Sequence, residues 1–226
     1  MSELLRREYP GNIAFTRIFV LALFLMACNN SLEAQRFSAA LTVGGNASQI
    51  DGDDLAGYDK LGLNAGLRGT AELSDRWDLS IELLFSQRGS RTQNSNSAAQ
   101  LRREINLDYV EIPVLISIKD WLVDHEKGEY YRVRAFAGLS YARLVNATVY
   151  DDDSATGYND ELADALNRND ISGIVGLSYT AYRNWEFSAR YTRSFTRIYD
   201  TSEGNPLIPL SLVGYYISFN IAYLIK

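Results

Sequence analysis

Between residues 61 and 88 the chain alternates in size and polarity, residue by residue, with one interruption. Leu61, Leu63, Ala65, Leu67, Gly69, Ala71 and Leu73 share one parity; Gly62, Asn64, Gly66, Arg68, Thr70 and Glu72 share the other. A polar break follows at Ser74-Asp75-Arg76. Trp77, Leu79, Ile81, Leu83 and Phe85 then alternate with Asp78, Ser80, Glu82, Leu84 and Ser86. Successive side chains of a strand point to opposite faces, so this stretch predicts a β-hairpin with one apolar and one polar face. How bulk is shared between the faces narrows the fold further. A soluble sheet hides its large residues in a core. A small membrane barrel turns them toward lipid and keeps a narrow polar interior. Here the apolar face carries the bulk, and the other is mostly Gly, Ser, Asn and Thr with a few charges.

The same pattern recurs along the chain and predicts eight strands of an all-β, antiparallel up-and-down transmembrane β-barrel. Strand one covers 37–47, strands two and three the hairpin, strand four about 105–118, and strand five 131–145. Strands six, seven and eight cover 171–181, 185–195 and 213–225. Strand four changes phase: Ile105, Leu107 and Tyr109 are odd, whereas Val110, Ile112, Val114, Ile116 and Ile118 are even. One extra residue near Tyr109–Glu111 would return all of them to one outward face, so a β-bulge is expected there, with Pro113 beside it. Connections alternate long and short, and 146–169 is the longest, with a short helix expected within 161–167. This asymmetry suits an outer-membrane barrel with both termini periplasmic. Trp77-Asp78-Leu79-Ser80 and Trp185-Glu186-Phe187-Ser188 echo each other after three-residue turns. They put Trp at the strand start, where an aromatic girdle meets the membrane interface. Trp77, Phe85, Tyr131, Tyr141, Trp185 and Phe195 are the expected girdle. The rival is a soluble lipocalin-like binding barrel, which would have to hold Trp77, Phe85, Trp185, Phe187 and Phe219 inside.

Composition excludes little. Of 226 residues 46% are apolar, and the net charge of −6 is spread along the chain, so no nucleic-acid partner is suggested. Mean hydropathy is slightly negative, as alternating strands cancel in any window. Residues 18–27 form an apolar run after Arg6, Arg7 and Arg17. The run is too short to cross a bilayer as a helix. It reads as the core of a signal peptide over 1–34, with 35–226 as the barrel. Cys28, the single cysteine, falls in this leader, and Leu25-Met26-Ala27-Cys28 also has the outline of a lipoprotein box.

Tyr109-Val110-Glu111-Ile112-Pro113 and the apolar run after it resemble the outer membrane protein β-barrel family that includes PorT-like proteins and eight-stranded OmpA/OmpX-type barrels. Phe136-Ala137-Gly138-Leu139-Ser140 and Ala189-Arg190-Tyr191-Thr192 are similar to that family's fifth and seventh strands. The resemblance covers nearly all of the chain after Gln35. It implies residence in a bacterial outer membrane, with lipid as the constant partner. For PorT-like members it implies a link to protein secretion. It brings no catalytic residues. The chain departs from barrels that finish on an aromatic, since it ends Leu224-Ile225-Lys226.

Enzymatic chemistry is not expected. The only histidine, His125, belongs to a predicted periplasmic turn, Lys119–Tyr130, far from any outer-rim nucleophile. Asp151-Asp152-Asp153 lacks calcium-loop spacing, because Ala155 stands at the fifth, ligand position and Thr156 at the sixth, where the loop turns on a glycine. Neither a cofactor nor a metal is implied, and a monomer is expected. The inward charges carry more information. Arg68, Glu72, Asp78, Glu82, Arg88, Arg132, Arg134, Glu186 and Arg190 share the polar faces, and buried charges must pair. Counting back from the turn sets Glu72 opposite Asp78, Thr70 opposite Ser80, and Arg68 opposite Glu82. An Arg68–Glu82 ion pair is therefore expected, with Arg132, Arg134 or Arg190 between the two acids at the mouth. A barrel so filled should be plugged. The expected role is structural or accessory in envelope or secretion machinery. The alternative is surface binding, adhesive or ligand-directed, through the 146–169 loop.

Overall fold

The computed structural model describes residues 37–53, 57–92, 102–124, 129–152, 160–201, 208 and 210–225. The expected leader, 1–34, lies outside them, as do His125 and Asp153. Eight strands close into an antiparallel barrel in chain order: β1 (Phe37–Asp51), β2 (Lys60–Glu72), β3 (Trp77–Arg91), β4 (Arg103–Val123), β5 (Tyr130–Asp151), β6 (Asn169–Tyr182), β7 (Trp185–Ser194) and β8 (Val213–Ile225). β1 closes the sheet on β8, from Ala39 opposite Ile225 to Asp51 opposite Val213. A short helix, α1 (Asp160–Ala165), lies between β5 and β6. Three short connections and both ends of the barrel sheet share one end, the turn end. Four longer connections share the other, the loop end.

The alternation does what its chemistry requires. Trp77, Phe85, Trp185, Phe187 and Phe219 are 44%, 42%, 46%, 45% and 63% exposed on the outer wall, which excludes the inverted, soluble arrangement. Small and polar residues of the opposite parity point inward and are buried. The hairpin register is as counted: Glu72 faces Asp78, Thr70 faces Ser80 and Arg68 faces Glu82. Phe85, Tyr141 and Phe195 also lie on the outer wall. Tyr131 departs from the girdle: it is half-buried at the turn-end mouth, its ring 5.3 Å from the Lys119 ammonium.

Strand four corrects the sequence reading. β4 keeps a single phase and one register with β3 from Trp77–Ile118 to Arg91–Glu104. Ile105, Leu107 and Tyr109 stay on the inner face and are buried. The irregularity belongs to β5: Asp108 pairs Asn146 while Tyr109 pairs Leu144, so Val145 is the extra residue. Pro113 sits within the regular part of the strand.

The reason lies in strand length. β5 has 22 residues and β4 has 21. At about 3.3 Å per residue and about 40° of tilt, such a strand rises about 55 Å, against an apolar band about 25 Å tall. Beyond the band, water replaces lipid outside, and the interior becomes the place for apolar residues. Ile50, Leu107, Tyr109, Leu144, Leu162 and Ile198 belong to one buried cluster there. The connection expected over 146–169 thus starts only after Asp151, and α1 contributes Leu162 to the cap.

Candidate functional site

The polar lumen is where this chain concentrates chemistry, and it is layered. Nearest the turn end, eight charged groups alternate in sign along one chain of contacts. Glu72 lies 3.9 Å from the Lys119 ammonium, which holds Asp78 at 2.8 Å. Asp78 is 3.3 Å from Arg134, and Arg134 is 2.9 Å from Glu186. Glu186 accepts from Arg68 at 2.7 Å; Arg68 is 3.9 Å from Glu82; and Glu82 accepts from Arg190 at 2.7 Å. Four cations and four acids leave the layer neutral. Strand parity delivers each member inward, and barrel closure brings β7 across to β2 and β3.

A waist of Leu84, Leu115, Phe136 and Ile174 follows, all buried. Phe136 packs against Gly176, its Cζ 2.5 Å and the Ala189 carbonyl oxygen 2.7 Å from where a Cβ would stand, so that position requires a glycine. On the β1–β2–β3 side, Asn46 donates to Ser86 at 3.0 Å and accepts from Asn64 and Ser218 at 2.7 and 2.8 Å.

The second charge layer is centred on Arg88. Its guanidinium pairs with Glu111 and, at 3.0 Å, with Asp170. It also lies between two rings, 4.7 Å from Tyr109 and 4.3 Å from Tyr216. Glu111 accepts from Ser140 at 2.7 Å and from the Tyr216 hydroxyl at 3.1 Å. Asp170 accepts from Ser194 at 3.0 Å and Thr196 at 2.7 Å. A guanidinium with two carboxylates and two aromatic faces has its donors and its charge both satisfied. The apolar cap closes the lumen above this layer.

Of the nine charges expected on the polar faces, seven join in the turn-end chain and Arg88 centres the second layer, with three differences from the expected arrangement. Arg68 and Glu82 are opposed and within ion-pair distance, but their hydrogen-bonded partners are crossed: Arg68 takes Glu186 and Arg190 takes Glu82. The two acids at the mouth, Glu72 and Asp78, are bridged by Lys119, and Arg134 links Asp78 onward to Glu186. Arg132 is not in the network; it stands at the rim, 5.3 Å from the Trp121 ring. Lys119 was assigned to a turn, yet it continues the odd, inward parity of Leu115 and Ser117. The same parity marks Glu111, and the even parity of Ser172 marks Asp170.

Among the described residues no group of three metal-binding side chains converges. Asp151 and Asp152 are engaged otherwise, Asp151 with Arg103 at 2.7 Å and Asp152 with the Arg102 backbone N–H at 2.8 Å.

A family model described as outer membrane protein beta-barrel domain matches residues 29–200. Among solved structures, Neisserial surface protein A is similar at 10% identity and a TM-score of 0.44, over 84% of this chain and 99% of that one. The attachment invasion locus protein Ail of Yersinia pestis, in complex with the heparin analogue sucrose octasulfate, is similar at 10% identity and a TM-score of 0.41, over 83% and 99%. Outer membrane protein W of E. coli is similar at 16% identity and a TM-score of 0.31, over 85% and 99%. No curated protein matches the sequence.

Proposed function

The chain belongs to the outer membrane protein β-barrel domain family, and on that premise we propose a non-enzymatic, structural or docking component of envelope or protein-secretion machinery. It resides in the bacterial outer membrane, where the short turns of such barrels face the periplasm and the long loops face outward. The observation that carries the reading is the filled lumen. An eight-stranded barrel is only wide enough for its own side chains, and here these are spent on ion pairs and an apolar cap. A transport path and a substrate pocket would each need that space. Glu82, Glu111, Asp170 and Glu186 each hold an arginine, so none is free to act as a general base. The resemblance of Tyr109-Val110-Glu111-Ile112-Pro113 to PorT-like members supports secretion as the setting. Cross-linking the tagged full chain in native membranes tests this: one recurrent envelope or secretion partner is expected, and a barrel recovered repeatedly without protein partners would overturn it.

A second reading, surface binding through the loop end, is favoured by the projection of β5, which leaves Val145 and Tyr150 52% and 50% exposed beyond the barrel wall's pairing with β6. Deleting residues 153–159 separates the two. An accessory role keeps its cross-linked partner, whereas loop-mediated binding to surfaces is lost.

A further inference from the structure

Arg132 is a cation that the lumen does not use. It lies near the start of β5, and Trp121 stands close by at the end of β4. Trp121 has φ of 62°, the one positive φ of a non-glycine among the described residues. A bulky side chain rarely adopts that conformation. Here it takes the indole out of the inward phase of β4, and the residue is 56% exposed. The Arg132 guanidinium carbon lies 5.3 Å from the Trp121 ring and 6.0 Å from the Tyr179 ring. Its Nε is buried without an acceptor, and no carboxylate among the described residues pairs with it.

Tyr179 also borders an apolar groove of about 870 Å³ on the outer wall. Leu177, Phe187, Phe219 and Ile221 form its sides. Ala189 is its floor, a small residue set between its register partners Leu177 and Phe219. The volume falls within the ~300–1,000 Å³ of small-molecule sites. The groove therefore runs along the lipid-facing wall and ends, at the turn end, beside a cation that is hydrogen-bonded to Tyr130, has no carboxylate partner among the described residues, and is flanked by two interfacial aromatics.

We propose that this is a phospholipid site: the groove takes an acyl chain, and Arg132 takes the phosphodiester of an anionic headgroup between Trp121 and Tyr179. Guanidinium matches phosphate geometry with two parallel donors, and Trp and Tyr favour headgroup depth. A zwitterionic lipid would compensate its own phosphate and gain less from an unpaired cation. The inference rests on membrane residence alone and is independent of the accessory role.

The test is native mass spectrometry of the detergent-solubilised full chain with phosphatidylglycerol, with folding of each variant checked by heat-modifiable gel migration. The expected result is one retained phosphatidylglycerol in the wild type, and occupancy about fivefold lower in Arg132→Gln, the loss of one charge-assisted contact. Arg132→Lys should keep part of the occupancy, and Ala189→Phe, which fills the floor, should lower it. Both sites lie outside the lumen network, and either variant alone carries the test. Wild-type occupancy in folded Arg132→Gln, or in folded Ala189→Phe, overturns the proposal. So does equal retention of phosphatidylcholine. Displacement by glycerol 3-phosphate, which has no chains, would assign the site to free phosphate esters and also overturn it.

Discussion

Glu82 is the acid on which the turn-end layer most depends, and removing it has a calculable consequence. Its side chain is buried and lies between two arginines, Arg190 at 2.7 Å and Arg68 at 3.9 Å. At an effective dielectric of about 20, unit charges at those separations attract by about 6 and about 4 kcal/mol before desolvation is counted. Glu82→Ala removes both attractions, but the two arginines do not suffer equally. Arg68 keeps Glu186 at 2.7 Å. Arg190 keeps no carboxylate within ion-pair distance among the described residues. One buried cation is thus stranded, at a cost of about 3–5 kcal/mol. Replacing Glu82 and Arg190 together by Met removes the stranded charge and should bring stability back to within about 1 kcal/mol of the wild type. Glu72→Ala is the control. Glu72 is 41% exposed at its side chain and 3.9 Å from Lys119, so its loss should cost about 0–1 kcal/mol. Urea unfolding in lipid vesicles, followed by tryptophan fluorescence, measures all three. The reasoning fails if Glu82→Ala costs no more than Glu72→Ala, or if the double replacement is worse than the single one.

Three further outcomes follow from the same structure. Gly176→Val should be strongly destabilising, because Phe136 occupies the space a Cβ needs, while Gly69→Val, with nothing within 4 Å, should be tolerated; the same unfolding assay compares them. A cysteine placed at Leu107 should be protected from both aqueous and lipid-soluble thiol reagents, whereas one at Ile112 should react with the lipid-soluble reagent, which tests the single phase of β4. Asp152 should titrate below the ordinary aspartate range, because it accepts the Arg102 backbone N–H and then the Tyr150 hydroxyl. A depressed carboxylate keeps its contacts at neutral pH and loses them only as pH falls through the lowered value, which an NMR titration of this side chain reads directly.

The hairpin was legible in the sequence because parity and a tight turn together fix register. Once Ser74-Asp75-Arg76 is the turn, Arg68 can face only Glu82. Ion partners were less legible. Partners across a closed barrel depend on strand stagger, which no local pattern encodes, so the crossing of Arg68 to Glu186 and Arg190 to Glu82 emerges only on closure. Strand four misled for a different reason. The rule that apolar residues face outward holds only within the lipid band. Ile105, Leu107 and Tyr109 lie beyond it, where the apolar side is the inside. Read as one inward series with Glu111, Leu115, Ser117 and Lys119, they need no bulge, and the series also reveals the missed lysine. Arg132 shares the inward parity of Arg134, but the left-handed backbone at Trp121 lies where parity ceases to hold.

The central claim is that the lumen is closed by its own side chains, and single-channel recording of the pure, folded protein in planar bilayers addresses it most directly. The turn-end chain from Glu72 to Arg190, the Leu84–Ile174 waist, the Arg88 layer and the cap predict a silent bilayer over repeated insertions. A steady ohmic conductance that scales with the number of inserted barrels would contradict it.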